Sequence, residues 1–299
     1  MISGGGSECP SSAVVPPQRG SSEALFYKTD AGVFRSQKLY FLPSDDGSLL
    51  ELAGDRDVTN RYASAVMIEA DEPASTLSCN GVLIHPRLVL TAAHCLCARW
   101  QQSGPAGPAR ILIDTASCST HVRVTAILSS QVEGSSWPAL RTYNYSGQVR
   151  LHPEFKIVFD DQGNAATSDA DLAVIHLEKP VDPSISPTQL TEPQARLDEL
   201  LIIAGYGYET GVRGIYGTRY FKRSKVSKLP APPNDKFVSE PRGIHFTSGY
   251  RGGPCFREQG RDQWLVGIVG LGDDEKLSCT GTSLYLPWLH AQIQQAERR

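Results

Sequence analysis

A chain of 299 residues has room for about two ordinary domains. Its 29 Lys plus Arg against 32 Asp plus Glu give a net charge of −3, which excludes the basic footprint of a nucleic-acid binder. Hydrophobic residues, at 40%, suffice for a packed core, and no apolar run nears the roughly 18 residues of a membrane span.

The 27 Gly and 20 Pro cut the chain into short segments, the texture of β architecture rather than of a helical bundle. Residues 1–22 contain 13 Ser, Gly or Pro and read as a flexible leader. Residues 23–52 are mixed, with short β-like runs such as 38–42, and form a pro-segment or an extra strand. The folded domain is therefore placed at 53–299, after a leader or pro-segment at 1–52. Strand-like runs follow at 63–68, 81–84, 87–90, 109–113, 121–127, 171–177, 200–204 and 264–269, with turn residues between them. The segment 128–170 has Gly-, Ser- and Asn-rich stretches and little periodicity, and is expected to be a long surface insertion. One helix closes the chain: Pro287 suits its first turn, and Leu289, Ile293 and Ala296 recur at i, i+4 and i+7. Strands over most of the chain, then one helix, predict an all-β fold of two packed β-barrels.

Seven Cys are present: Cys9, Cys79, Cys95, Cys97, Cys118, Cys255 and Cys279. None forms a Cys-x-x-Cys pair, and no Cys/His set has zinc-finger spacing. Three disulfides with one cysteine spare would imply an oxidising compartment; ordinary buried thiols would imply the cytosol. Composition leaves both open, and the opening Met-Ile-Ser-Gly-Gly-Gly shows neither the basic nor the apolar region of an export signal.

Three segments carry chemistry. They are Leu88-Val-Leu-Thr-Ala-Ala-His-Cys95, Asp169-Ala-Asp171-Leu-Ala-Val174 and Gly249-Tyr-Arg-Gly-Gly-Pro-Cys255. In this order they resemble the chymotrypsin/trypsin-like serine proteases, over roughly residues 55–297. Leu151-His-Pro-Glu-Phe155, Gly205-Tyr-Gly207, Gly267-Ile-Val-Gly270 and Leu286-Pro-Trp288 extend the likeness. The resemblance implies two six-stranded antiparallel barrels, with no cofactor and no metal. It implies a triad in which a Ser attacks a carbonyl, a His takes its proton and a buried Asp orients the His. His94 matches the base. Asp171 matches the acid, with Asp169 as runner-up. The resemblance also implies a Cys79–Cys95 bridge around the His loop and a Cys255–Cys279 bridge near the Gly-Gly-Pro turn. Cys97–Cys118 then remains as the third pair, Cys9 stays single, and export to an extracellular or periplasmic location is expected.

The nucleophile departs from the pattern. Arg251 stands where the family has Ser, and a guanidinium, with a pKa above about 12, is no nucleophile at neutral pH. Tyr250 stands where the family has the Asp that pairs with a new N-terminus and shapes the oxyanion hole, to which Gly249 belongs. His245 replaces the acid of a trypsin-like pocket, whose other expected positions are Gly270 and Gly272. Arg251 fills the pocket mouth, pairs with Asp171 or points to solvent. Ser248 and Thr247 lie nearby, but near-attack geometry tolerates errors of only about 1 Å, and a three-residue displacement exceeds that. Two readings follow. One is a protease homologue without peptidase activity that binds a peptide or protein, an active protease among the candidates. The other is an active serine endopeptidase with a non-standard nucleophile.

Overall fold

The computed structural model describes residues 26–29, 32–35, 54–71, 78–102, 110–132, 139–160, 165–206, 219–230, 235–239, 250–271 and 277–299. The chain divides into two compact units, Met1–Leu50 and Glu51–Arg299. In the first, β1 (Phe26–Thr29) and β2 (Gly32–Arg35) form an antiparallel hairpin, so part of the expected leader is paired strand. The run 38–42 lies outside the described residues.

The second unit opens with β3 (Asp55–Arg56), β4 (Ala65–Ala70), β5 (Ser78–His85) and β6 (Leu88–Thr91). A hairpin of β7 (Cys97–Gln102) and β8 (Arg110–Cys118) leads to β9 (His121–Ser130) and β10 (Ala139–Leu151). A second hairpin, β11 (Lys156–Phe159) and β12 (Ala165–Asp169), precedes β13 (Ala173–Leu177). Six of these strands, in the order β10–β13–β6–β5–β4–β9, close into an antiparallel barrel.

After β14 (Gln189–Leu190) come β15 (Leu200–Gly205), β16 (Tyr220–Lys228), β17 (Lys236–Ser239), β18 (Pro254–Gln259), β19 (Asp262–Val269) and β20 (Leu277–Gly281). The last six form a second antiparallel ring, β15–β16–β17–β20–β19–β18, closed by the pairing of β18 with β15. β14 joins β19 in parallel, and β3 joins β16. Closure leaves neither barrel an open edge of unpaired N–H and C=O groups.

The pattern within each strand follows from this closure. In β9, Val122, Val124 and Ala126 face inward while His121 and Arg123 face water, the alternation of a sheet with one wet face. All of β13 is buried, because the closing helix α1 (Leu286–Glu297) covers this side: Gln292 of α1 meets His176 at 3.2 Å. Pro287 starts α1, and Leu289, Gln292 and Ala296 are its buried face, with Ile293 partly buried beside them. His152 packs edge-on against Tyr285 and Trp288, which fixes the approach to the helix.

The expectation of a long insertion at 128–170 is corrected by β10, which is a barrel strand. Its inward positions are Tyr143, Tyr145, Gly147, Val149 and Leu151. A side chain at 147 would meet Ile175 of β13 at 2.5 Å, so the barrel needs glycine where apolar periodicity would ask for a large residue. No helix among the described residues is long and apolar enough to cross a membrane.

Candidate active site

Four consecutive buried residues make β6 a central strand, flanked by β5 and β13. The fully buried Ala92 and Ala93 follow, and a single 3-10 turn, Ala93–Leu96, carries His94 at the strand end. β13 runs antiparallel to β6, with Ala173 opposite Thr91. The start of one strand therefore lies beside the end of the other, and Asp171, two residues before β13, reaches His94.

The contact is double. Asp171 Oδ2 accepts from His94 Nδ1 at 2.7 Å, and Asp171 Oδ1 accepts from the His94 backbone N–H at 2.9 Å. Ser168 Oγ donates to the same Oδ2 at 2.8 Å, and the Leu271 N–H approaches it at 3.3 Å. Asp171 is 0% exposed and His94 2%. Ala170, just before Asp171, has φ +44, a left-handed conformation that costs an alanine about 1–2 kcal/mol. Asp235 Oδ2 holds that turn by accepting the Ala170 N–H at 3.1 Å. Asp169 instead pairs with the exposed Lys156 at 3.0 Å, so Asp171 is the acid the fold brings to His94.

Burial alone would raise the Asp171 pKa. The His94 ring and its hydrogen bonds, with Lys236 behind them, hold the carboxyl well below the usual range. Every group pointing at it is a donor, as an ionised carboxylate requires. Burial pushes His94 below its ordinary value against the pull of Asp171, and the charges of Arg251 and Arg99 push the same way. His94 Nε2 faces Cys95 Sγ at 3.8 Å, a sulfur of the Cys79–Cys95 disulfide.

Arg251 lies in the turn before β18 and is 9% exposed, so the solvent-facing alternative does not hold. Its carbonyl is clamped by Asn80 of β5, which donates its backbone N–H at 2.8 Å and its Nδ2 at 3.3 Å. Asn80 Oδ1 accepts the Tyr206 N–H at 2.7 Å, and Thr91 Oγ1 donates to the Asn80 carbonyl at 2.6 Å. Gly252 has φ +76, and a Cβ there would come within 2.3 Å of the Asn80 carbonyl oxygen. The turn thus needs glycine for both its conformation and its packing. Tyr250 is buried at 1%, with its hydroxyl 3.2 Å from where a Cβ on Gly54 would sit.

Gly270 abuts the acid: a Cβ on it would lie 3.4 Å from Asp171 Oδ2 and 3.6 Å from Lys236 Nζ. His245, Gly249, Gly272, Ser248, Thr247 and Cys9 lie outside the described residues. The three disulfides are Cys79–Cys95, Cys97–Cys118 and Cys255–Cys279, the pairs expected. Among the described residues no three His, Cys, Asp or Glu gather as a metal site.

Sequence reasoning missed Asn80 and Lys236. Asn80 directly follows the cysteine of a recognised bridge, and that adjacency was its one signal. Lys236 opens a short apolar strand, where a lysine reads as an exposed strand end; the structure buries it at 4%.

Residues 54–289 match the trypsin family. Vitamin K-dependent protein C of Oryctolagus cuniculus is 24% identical across 81% of this chain. The match covers 52% of that protein, so the chain spans about half the length of this relative. A family match that runs from the first described residues of the larger unit into its closing helix, on two closed six-stranded barrels, settles the relationship: the chain belongs to the trypsin family.

Proposed function

We propose that this trypsin-family chain lacks peptidase activity and acts as a peptide- or protein-binding regulator, with an active protease among its candidate partners. One observation carries the reading: a buried arginine occupies the position at which the family pattern has its nucleophilic serine. His94 and Asp171 are then retained triad members without a nucleophile. By the family pattern Gly249 corresponds to the oxyanion-hole position, and His245, Gly270 and Gly272 correspond to specificity-pocket positions. Residues 1–52 are a leader or pro-segment ahead of a protease-like domain at 53–299. Three disulfides support an exported protein, extracellular or periplasmic.

A fluorophosphonate probe tests the reading, because it labels only an activated hydroxyl. The purified protein is expected to remain unlabelled under conditions that label trypsin fully. Stoichiometric labelling mapped to Ser248 or Thr247 would establish the active endopeptidase instead.

A further inference from the structure

Lys236 plays no part in the reading above. It opens β17 in the second barrel at 4% exposure, where an unbalanced ammonium is costly. Burial pulls its pKa below the ordinary lysine value, and the carboxylates that oppose this by favouring its charge are Asp171, Asp235 and Asp169, in that order. Asp171 is the one that a hydrogen-bonded path joins to Nζ; the other two have these partners. Asp169 pairs with Lys156, and Asp235 Oδ2 accepts the Tyr285 hydroxyl and the Ala170 N–H.

The path to Asp171 is continuous. Lys236 Nζ donates to Ser168 Oγ at 2.6 Å, and Ser168 donates onward to Asp171 Oδ2 at 2.8 Å. Nζ also donates to the Leu271 carbonyl at 3.1 Å, while the Leu271 N–H points back at the same carboxylate oxygen. Donation runs one way, from ammonium through hydroxyl to carboxylate. Ser168 is 1% exposed, so the hydroxyl serves this link and not a substrate.

In a His–Asp pair that works as a base, the carboxylate charge stabilises the imidazolium when the ring takes a proton. Here a cation built into the fold already balances that charge. The other charged groups acting on His94 are Arg251, in the turn before β18, and Arg99, in β7, and both oppose a further positive charge. We propose that Lys236 is the resident counter-ion of Asp171 and that, by balancing its charge through Ser168, it keeps His94 uncharged. The pair is then a fixed link in a chain from the first barrel to the second, and Lys236 is a positioning residue. The inference concerns the charge of the pair and stands whichever way the labelling experiment falls.

The test is an NMR titration of His94 ring shifts in the full chain, followed down to the onset of acid unfolding. Wild type is compared with Lys236→Met and Lys236→Gln; the glutamine removes the charge and offers a neutral donor in the same direction. Both variants are expected to move the His94 midpoint upward by about one pH unit or more, the effect of losing a nearby like charge. A purely structural lysine would lower stability and leave the midpoint in place, and that result in Lys236→Gln overturns the proposal. His94 staying neutral to the same pH in all three proteins also overturns it. Should both variants fail to fold, the wild-type protein decides through its Lys236 15Nζ resonance at pH 7. A slowly exchanging ammonium is expected, and a neutral amine refutes the assignment.

Discussion

A guanidinium keeps its proton at any pH a protein survives, so Arg251 has no lone pair to send at a carbonyl. Arg251→Ser returns a hydroxyl but leaves three obstacles. Tyr250 stays buried against Gly54, with no carboxylate to hold the turn. His94 loses the Arg251 charge but stays lowered by burial, its largest cause, and general-base help is worth about 10²–10⁴ in rate. A turn without the family's Asp is expected to present the oxyanion hole poorly, and the loss of one donor there would cost about another 10²–10³. Peptide-ester turnover by Arg251→Ser is therefore expected within about tenfold of background, measured against the wild-type chain. Efficient turnover would show a pre-formed site held back by one residue. At this scale His94 and Asp171 were legible, because the motif order names them and adjacent strand ends deliver them. Lys236 was not: its partner Ser168 lies 68 positions away, in the β11–β12 hairpin, and only the packing of that hairpin against the second barrel joins them.

Among the elements, the short β3 shows how little sequence signal a structural anchor needs. Asp57, just after it, accepts the Arg61 and Tyr62 N–H groups at 2.9 Å and Arg219 Nε at 2.8 Å. Arg219 reaches on to the Ile127 carbonyl at 3.0 Å and the Tyr206 hydroxyl at 2.7 Å, so one ion pair ties β3, β9 and the ends of β15 and β16 together. Both side chains are almost sealed, at 2% and 1% exposure. Asp57→Asn keeps the shape and strands a buried guanidinium, at an expected cost of about 3–5 kcal/mol in urea unfolding. Breaking the outer pair Arg123–Glu69, where the arginine is 57% exposed, should cost no more than about 1 kcal/mol. Equal losses would contradict the role given to burial. Periodicity found β4, β5, β6, β8, β9, β13, β15, β19 and α1 but passed over β16. The inward positions of β16 include Ser224 as well as Tyr220 and Val226, a bulge interrupts it near Lys228, and Lys222, Arg223 and Lys225 dominate its composition.

For the molecule as a whole, stability against acid follows from groups that the two barrels hold away from water. Burial is the leading cause that lowers His85, His94, His152 and His176 below the ordinary histidine value. A histidine whose folded pKa is depressed binds its proton more readily in the unfolded chain. Stability is then complete above the unfolded value of about 6.5 and falls as pH drops below it. Asp171 acts in a lower window. Its folded pKa is also depressed, so its contribution is present above the unfolded carboxylate value of about 3.9 and is lost as pH falls through the folded one. The two windows predict a two-part acid profile. The urea midpoint should hold steady from pH 8 to about 6.5, decline gently to about 4, and drop more steeply below that. For His94, the fully buried member, the slope in the upper window is at most about 1.4 kcal/mol per pH unit. His94→Gln removes that proton from the balance, so its midpoint should change less between pH 6.5 and 4.5 than that of the wild type. A wild-type midpoint that rises on acidification through this window would mean that the buried histidines are charged in the folded protein, and would contradict an uncharged His94 at the centre of the site.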